Sequence, residues 1–411
     1  MTSRVGGQRP AWLESLHAVT DPRWIRLDAD EVLDEARRNT DLDDFGGSAF
    51  LEPYRLFVDA CEREADLHAV GRLLTRSDLL NWLENRLRLT QARKSTPGIA
   101  AQEIEAPLFI TGLPRTGTSI LHELLASDPA ARAPQHWEVR YPCPAPESAT
   151  YATDPRREIA ERELRLWNEV VPEYDTMHEL GAHIPVECIQ ITAHEFVSDE
   201  LLGRAQVPSY GAWYAGADLE PAYRFHREFL QHLQLRAPGR WVLKAPSHLG
   251  CLEALFAVYP DARIVWTHRD PLQVIPSVAS ILYATARIRS DAVDPEAVRA
   301  WFTPETCLAQ IERALAFRDS GRVPEGQFCD VPYAGLVADP LASIRTIYDH
   351  FEIPFRREAQ EAIARYIASK PKDKHGRHRY ALEADRDPSF EDQRESFRAY
   401  QERFEIPSEK G

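Results

Sequence analysis

An α/β fold, with a P-loop-type parallel sheet flanked by helices, is predicted by three observations. Short apolar runs near 108–111, 241–244, 263–268 and 327–331 are each followed by a helical pattern, and that alternation specifies parallel strands joined by helical crossovers. The first run enters a loop holding Gly112 and Gly117, then a hydroxyl-bearing helix start at Thr118 and Ser119. The third run leads straight into Arg269. In open parallel sheets, ligands bind beyond the carboxyl ends of the strands, where both features fall.

Ahead of the sheet, residues 1–100 read as a helical N-terminal cap packed on the core. Leu79, Leu80, Leu83 and Leu87 recur at helical spacing after Ser77, a good N-cap residue, and Tyr54, Phe57, Val58 and Cys61 form a second stripe. Residues 101–411 make the main α/β domain. The loop after its first strand keeps the G-x4-G spacing of a nucleotide-binding loop, but Thr118 stands where a nucleoside triphosphatase needs lysine, and Arg115 lies inside the loop. Glycines let backbone amides turn toward one anion, and the next helix adds its positive dipole end. An anion cradle is retained while the ATP-hydrolysing arrangement is not.

Between the first and second strands lies an insertion, about 130–235, carrying Trp137, Tyr141, Trp167, Tyr174, Tyr210, Trp213, Tyr214 and Tyr223. Some of these aromatics belong to core; others suit a ligand pocket, since such pockets are mostly apolar with sparse polar groups. The second strand opens onto Lys244 and His248, and Glu187 precedes an apolar helical run inside the insertion. After the third strand, Arg269 and Ser277 form a second candidate anion site. Two such sites on one sheet imply a ligand with two anionic ends.

The bulk properties set limits. A charge of −15 over 411 residues argues against broad attraction to nucleic acid. Six scattered cysteines show neither metal-ribbon nor disulfide-framework spacing, which favours a reducing, cytoplasmic setting. Neither a signal peptide nor an apolar run of about 18 residues is read, so no integral membrane association is expected. No histidine completes an H-E-x-x-H pattern, although His122-Glu123 and His194-Glu195 begin one, and no metal site is expected.

The loop Gly112-Leu-Pro-Arg-Thr-Gly-Thr-Ser119, together with Arg269 and Ser277 eight residues apart, resembles the sulfotransferases that use 3′-phosphoadenosine 5′-phosphosulfate (PAPS), especially their bacterial branch. The likeness covers roughly residues 105–380. It implies that Arg115, Thr116, Gly117, Thr118 and Ser119 hold the 5′-phosphosulfate, and that Arg269 and Ser277 hold the 3′-phosphate. It implies transfer of SO3 to a hydroxyl or amine of a small, partly apolar acceptor by in-line displacement, leaving 3′-phosphoadenosine 5′-phosphate (PAP). Because the moving group bears less charge than a phosphoryl group, no metal is needed to mask it. Arg115 would neutralise the departing phosphate through a forked, permanently charged contact.

Cytosolic relatives in that family carry Lys-x-His where this chain has Lys244-x-x-x-His248, so Lys244 would contact the donor and His248 would be the base, with a two-residue shift. Glu187 is the rival base, and His248 is slightly preferred. Tyr333 would lie near the adenine. In the basic stretch after Lys370, Lys374, Gly376 and Arg377 would close over the 3′-phosphate. The alternatives are a P-loop small-molecule kinase or NTPase, opposed by Thr118 and by the Arg269/Ser277 pair that ATP would leave unused, and a non-catalytic nucleotide-binding protein, which would be expected to have lost the loop glycines.

Overall fold

The computed structural model describes residues 9–172, 174, 179–370 and 393–409. Among them, five strands form a parallel sheet in the order β2-β3-β1-β4-β5: β1 Leu108–Thr111, β2 Ala131–Arg132, β3 Arg240–Lys244, β4 Arg263–His268 and β5 Phe328–Pro332. Four of these are the apolar runs read from the sequence. The fifth, β2, has two residues and no apolar signal to betray it.

The runs are continuously apolar because both faces of the sheet are covered. Phe109, Leu243, Ile264, Trp266 and Phe328 enter one core. Their neighbours Leu108, Ile110, Val242, Val265, Cys329 and Val331 enter the other. Successive residues of a strand point to opposite faces, so a sheet buried on both sides needs apolar residues at every position.

Register brings the strand ends level. Ile110 lies opposite Lys244 on one side and Val265 on the other, and Thr111 lies opposite Trp266. The chain leaves β1 toward β2 and β3, then crosses to β4 on the other side, so the loop after β1 sits at a switch in strand order. Helix α5, Thr118–Ala126, starts at that loop. Lys244 and Arg269 flank it from the two neighbouring strands.

Among the described residues, four α-helices precede the sheet: α1 Ala11–Val19, α2 Ala29–Thr40, α3 Leu51–Arg63 and α4 Ala69–Ser95. The leucine stripe falls on α4, with Leu79, Leu83 and Leu87 fully buried. That helix begins at Ala69 rather than after Ser77, because His68 supplies the cap: its Nδ1 accepts from the Gly71 amide at 2.8 Å. Residues of α2, α3 and α4 share one apolar cluster with Ala193, Phe196, Leu201, Ala205, Val207 and Tyr210 of the insertion.

Desolvated ion pairs reinforce that junction. Arg86 Nη1 donates to Glu195 at 2.5 Å, and Asp78 receives Arg289 at 2.8 Å, Arg140 at 3.2 Å and Arg204. Removing one partner of such a pair strands the other charge, at about 3–5 kcal/mol. No described helix is long and apolar enough to cross a membrane.

Candidate functional site

The cradle after β1 is shaped by three left-handed residues. Gly112 has φ 142°, and a Cβ there would lie 2.5 Å from the Thr267 carbonyl oxygen. Gly117, φ 89°, stands before α5 without a side-chain cap, and its Cβ would meet Leu336 at 2.9 Å. Helix α5 therefore opens with uncapped amides, the arrangement that binds anions. Arg115 is left-handed as well, at φ 65°, a conformation costing about 1–3 kcal/mol in a residue with a Cβ. The hydroxyl of Thr116 braces the loop instead of facing a ligand: it donates to the Leu113 carbonyl at 2.6 Å and touches Thr267 Oγ1 at 2.6 Å. What Thr116 offers an anion is its backbone amide.

On the β3 side, Lys244 ends the strand with its side chain 3% exposed. Its ammonium donates to Glu187 Oε1 at 2.5 Å and to Ser119 Oγ at 3.2 Å. Glu187 reaches the cradle because its segment is stitched to the sheet: the Cys188 amide donates to the Lys244 carbonyl and the Val186 amide to the Pro134 carbonyl, both at 2.8 Å. Residues separated by 57 positions in sequence thus form one contact at the helix start.

His248 is brought near, into the lining of a small cavity shared with Cys188 and Ser247. It lies in the 3₁₀ turn Pro246–Cys251, buried, edge-on to Phe109 with ring centroids 5.0 Å apart. The Tyr223 hydroxyl is 2.6 Å from its Nδ1. With that hydroxyl donating, the ring proton stays on Nε2, which is enclosed without a partner. Burial, then His226 and Lys244 nearby, push the imidazole well below the usual histidine range. Tyr214 and Tyr223 of the insertion line this cavity with Ser247, His248 and Cys251, whereas Trp137 and Tyr210 are fully buried core.

Sequence reasoning missed Asp199. Burial pushes its carboxyl upward, against the hydrogen bonds of Tyr214 and Ser247, and the Glu187 charge adds to the rise. Ser198-Asp199 reads as an ordinary helix start, which it also is, since Ser198 accepts from the Glu200 amide. Nothing in the local pattern marks a second carboxyl beside Glu187.

On the β4 side, Arg269 holds a carboxylate. Its Nε and Nη2 each donate to Glu409, at 2.9 Å, while Nη1 donates to the Arg115 carbonyl at 3.0 Å. The guanidinium lies 4.3 Å from the centre of the Tyr333 ring, which also borders Gly117. Ser277, on the helix Pro271–Arg287, accepts from Arg115 Nε at 3.0 Å. Arg115, Arg269, Ser277 and Tyr333 are thereby gathered on one side of the cradle. Lys374, Gly376 and Arg377 lie outside the described residues.

Two further features lie away from the loop. A cavity of about 580 Å³ runs beside the β2 edge, lined by Glu123, Arg132, Gln135, His183 and Lys370 among others. Glu123 is one turn below Ser119 on α5, and His183 shortly precedes Glu187. Among the described residues, His17, His68 and Asp291 form a group with metal-ligand atoms within 4.8 Å of one another. There His68 Nδ1 is committed to the Gly71 amide, and Arg9 already donates to Asp291 at 2.8 Å.

The sulfotransferase family model matches residues 107–357, from the start of β1 past β5. The structure of sulfotransferase STF9 from Mycobacterium avium superposes with a TM-score of 0.84 over 94% of this chain and 99% of its own, at 28% identity. Sulfotransferase STF1 from Mycobacterium tuberculosis gives 0.74 over 83% of this chain and 94% of its own, at 34% identity. The omega-hydroxy-beta-dihydromenaquinone-9 sulfotransferases Stf3 of Mycobacterium bovis and Mycobacterium tuberculosis are 27% identical over 266 residues, which is 60% of this chain and 62% of theirs.

Proposed function

The chain belongs to the sulfotransferase family, and from that premise we propose that it moves a sulfuryl group from PAPS to a hydroxyl of a small, partly apolar acceptor by metal-independent in-line displacement. The observation that carries this reading is the pair of cationic stations beside one anion cradle: Lys244 with Glu187 and Ser119 on the β3 side, Arg269 with Ser277 and Tyr333 on the β4 side. A nucleotide with phosphates at both ends of its ribose spans such a pair; ATP uses one of them.

In this reading the amides from Thr116 to Ser119 hold the 5′ end of the donor, and Arg115 turns its guanidinium from Ser277 to the departing phosphate. Arg269 and Ser277 take the 3′-phosphate, and Tyr333 borders the adenine. Lys244 gives two of its three N–H donors to Glu187 and Ser119, leaving a third for the sulfuryl oxygens. Charge build-up on the transferred group is stabilised by donors already in place.

The base is Glu187 in this reading, not His248. Glu187 stands at the cradle and leaves Oε2 for the acceptor proton, whereas His248 has its Nδ1 engaged by the Tyr223 hydroxyl and its Nε2 enclosed. The sequence preference reverses for that reason. A hydroxyl acceptor is supported by the omega-hydroxy compound named for the Stf3 relatives. The six unpaired cysteines fit a cytoplasmic reaction. Incubation with sulfur-labelled PAPS and a panel of phenols, long-chain alcohols, sterols, sugars and hydroxylated prenyl quinones tests the reading. Label should pass to an alcohol with one PAP formed per transfer; binding of magnesium ATP in preference to PAP would overturn it.

A further inference from the structure

We propose that Glu409 is an internal competitor for the 3′-phosphate, so that the C-terminal segment covers the donor site until a 3′-phosphorylated nucleotide displaces it. This rests on the reading of Arg269 as the 3′-phosphate ligand. The Glu409 carboxylate meets Nε and Nη2 of Arg269, both at 2.9 Å, the forked contact that arginine makes equally with a phosphate.

The segment is placed there by a buried stem. Tyr400 and Ile406 are buried, the Tyr400 hydroxyl touches His268 Nδ1 at 2.9 Å, and the Ile406 amide donates to the Gln401 carbonyl at 2.8 Å. Two main-chain contacts then aim the tip: the Glu409 amide donates to Asp270 at 2.9 Å, and Gln273 Nε2 donates to the Glu409 carbonyl at 3.2 Å. The tip itself is accessible, with the Glu409 side chain 34% exposed. A singly charged carboxylate on an anchored stem fills the fork, and a phosphate bearing more charge and three oxygens can replace it without moving Arg269 from the Tyr333 ring.

Calorimetric titration of PAP into the full chain tests this with Glu409→Gln and Glu409→Ala, each also made in an Arg269→Ala background. Both variants should bind PAP about two- to fivefold tighter, the scale of a solvent-accessible ion pair, and the gain should vanish without Arg269. Unchanged or weaker PAP binding in both variants, with Arg269→Ala alone still weakening it, would overturn the competitor and leave the 3′ assignment standing. If Arg269→Ala leaves PAP affinity intact, the 3′ assignment falls and the competitor with it.

Discussion

The two strands beside β1 end in the same chemical device, a cation holding a carboxylate, yet the two devices are built differently. Lys244 is 3% exposed, and its partner Glu187, 23% exposed, is fixed by main-chain bonds to β3 and the β2 edge. Arg269 is 21% exposed and its partner lies on the C-terminal segment. A pair whose cation is buried resists exchange, because stranding that charge is costly; a pair partly open on both sides is worth less, about 1 kcal/mol or below, and yields to a better anion. Under the proposed function this is a division of labour: the β3 side holds a geometry during reaction, and the β4 side selects and releases a ligand.

Substitutions should therefore separate turnover from affinity. The largest effect is expected at Glu187: replacement by Gln should lower kcat by about 10²–10⁴ with little change in PAP affinity. His248→Asn should retain near-normal kcat at saturating acceptor. Initial rates for the two variants decide between them, and a collapse at His248 with activity kept at Glu187 would return the base to histidine. Next comes Arg115→Ala, which should cut kcat about 10²-fold and weaken PAP binding less, since leaving-group charge grows toward the transition state. A pure affinity loss there would place Arg115 with the anion-selecting side.

A smaller, graded effect should follow from acid. Burial lowers His122, His194 and His226 to about 3 and His136 and His232 to about 4, against about 6.5 in an unfolded chain. The unfolded state binds more protons in that window, so these residues contribute full stability above pH 6.5 and lose it as pH falls toward 4. By pH 5.5 each costs about 1.4 kcal/mol. Their positions, in α5 and the insertion, put the loss on the β3 side. On the β4 side, His268 has Asp330 at 2.8 Å opposing burial. Denaturant midpoints between pH 7 and 5 should fall steadily; a flat profile would contradict the buried neutral histidines.

Much of this architecture was legible in sequence because it rests on local patterns. Apolar runs bounded by helical periods marked β1, β3, β4 and β5, and the glycine spacing marked the cradle. β2 was invisible, since Ala131–Arg132 owes its strand conformation to pairing with β3 alone. The core shared by α2 to α4 and the stretch around Phe196 was hidden for a related reason: periodicity shows that a helix face is buried, not what buries it.

The site divided along the same line. Arg115, Lys244, Arg269 and Ser277 sit at strand ends or on the following elements, so topology places them. Weighing His248 against Glu187 takes knowing where a side chain points, and in a 3₁₀ turn with three residues per turn Ser247 and His248 leave in different directions. Ser247 meets Asp199 and His248 meets Tyr223. Glu409 carried no signal at all, as one acid in a charged C-terminal stretch.

The central claim is that one nucleotide is gripped at both ends, with Arg269 reading the 3′-phosphate. Its most direct test is the ratio of PAP to 5′-AMP affinity, measured by calorimetry in the unaltered chain and in Arg269→Ala. A charge-assisted contact of about 1.5–3 kcal/mol predicts a preference for PAP of an order of magnitude or more, collapsing toward one in the variant. A ratio that survives the loss of Arg269 would contradict the account.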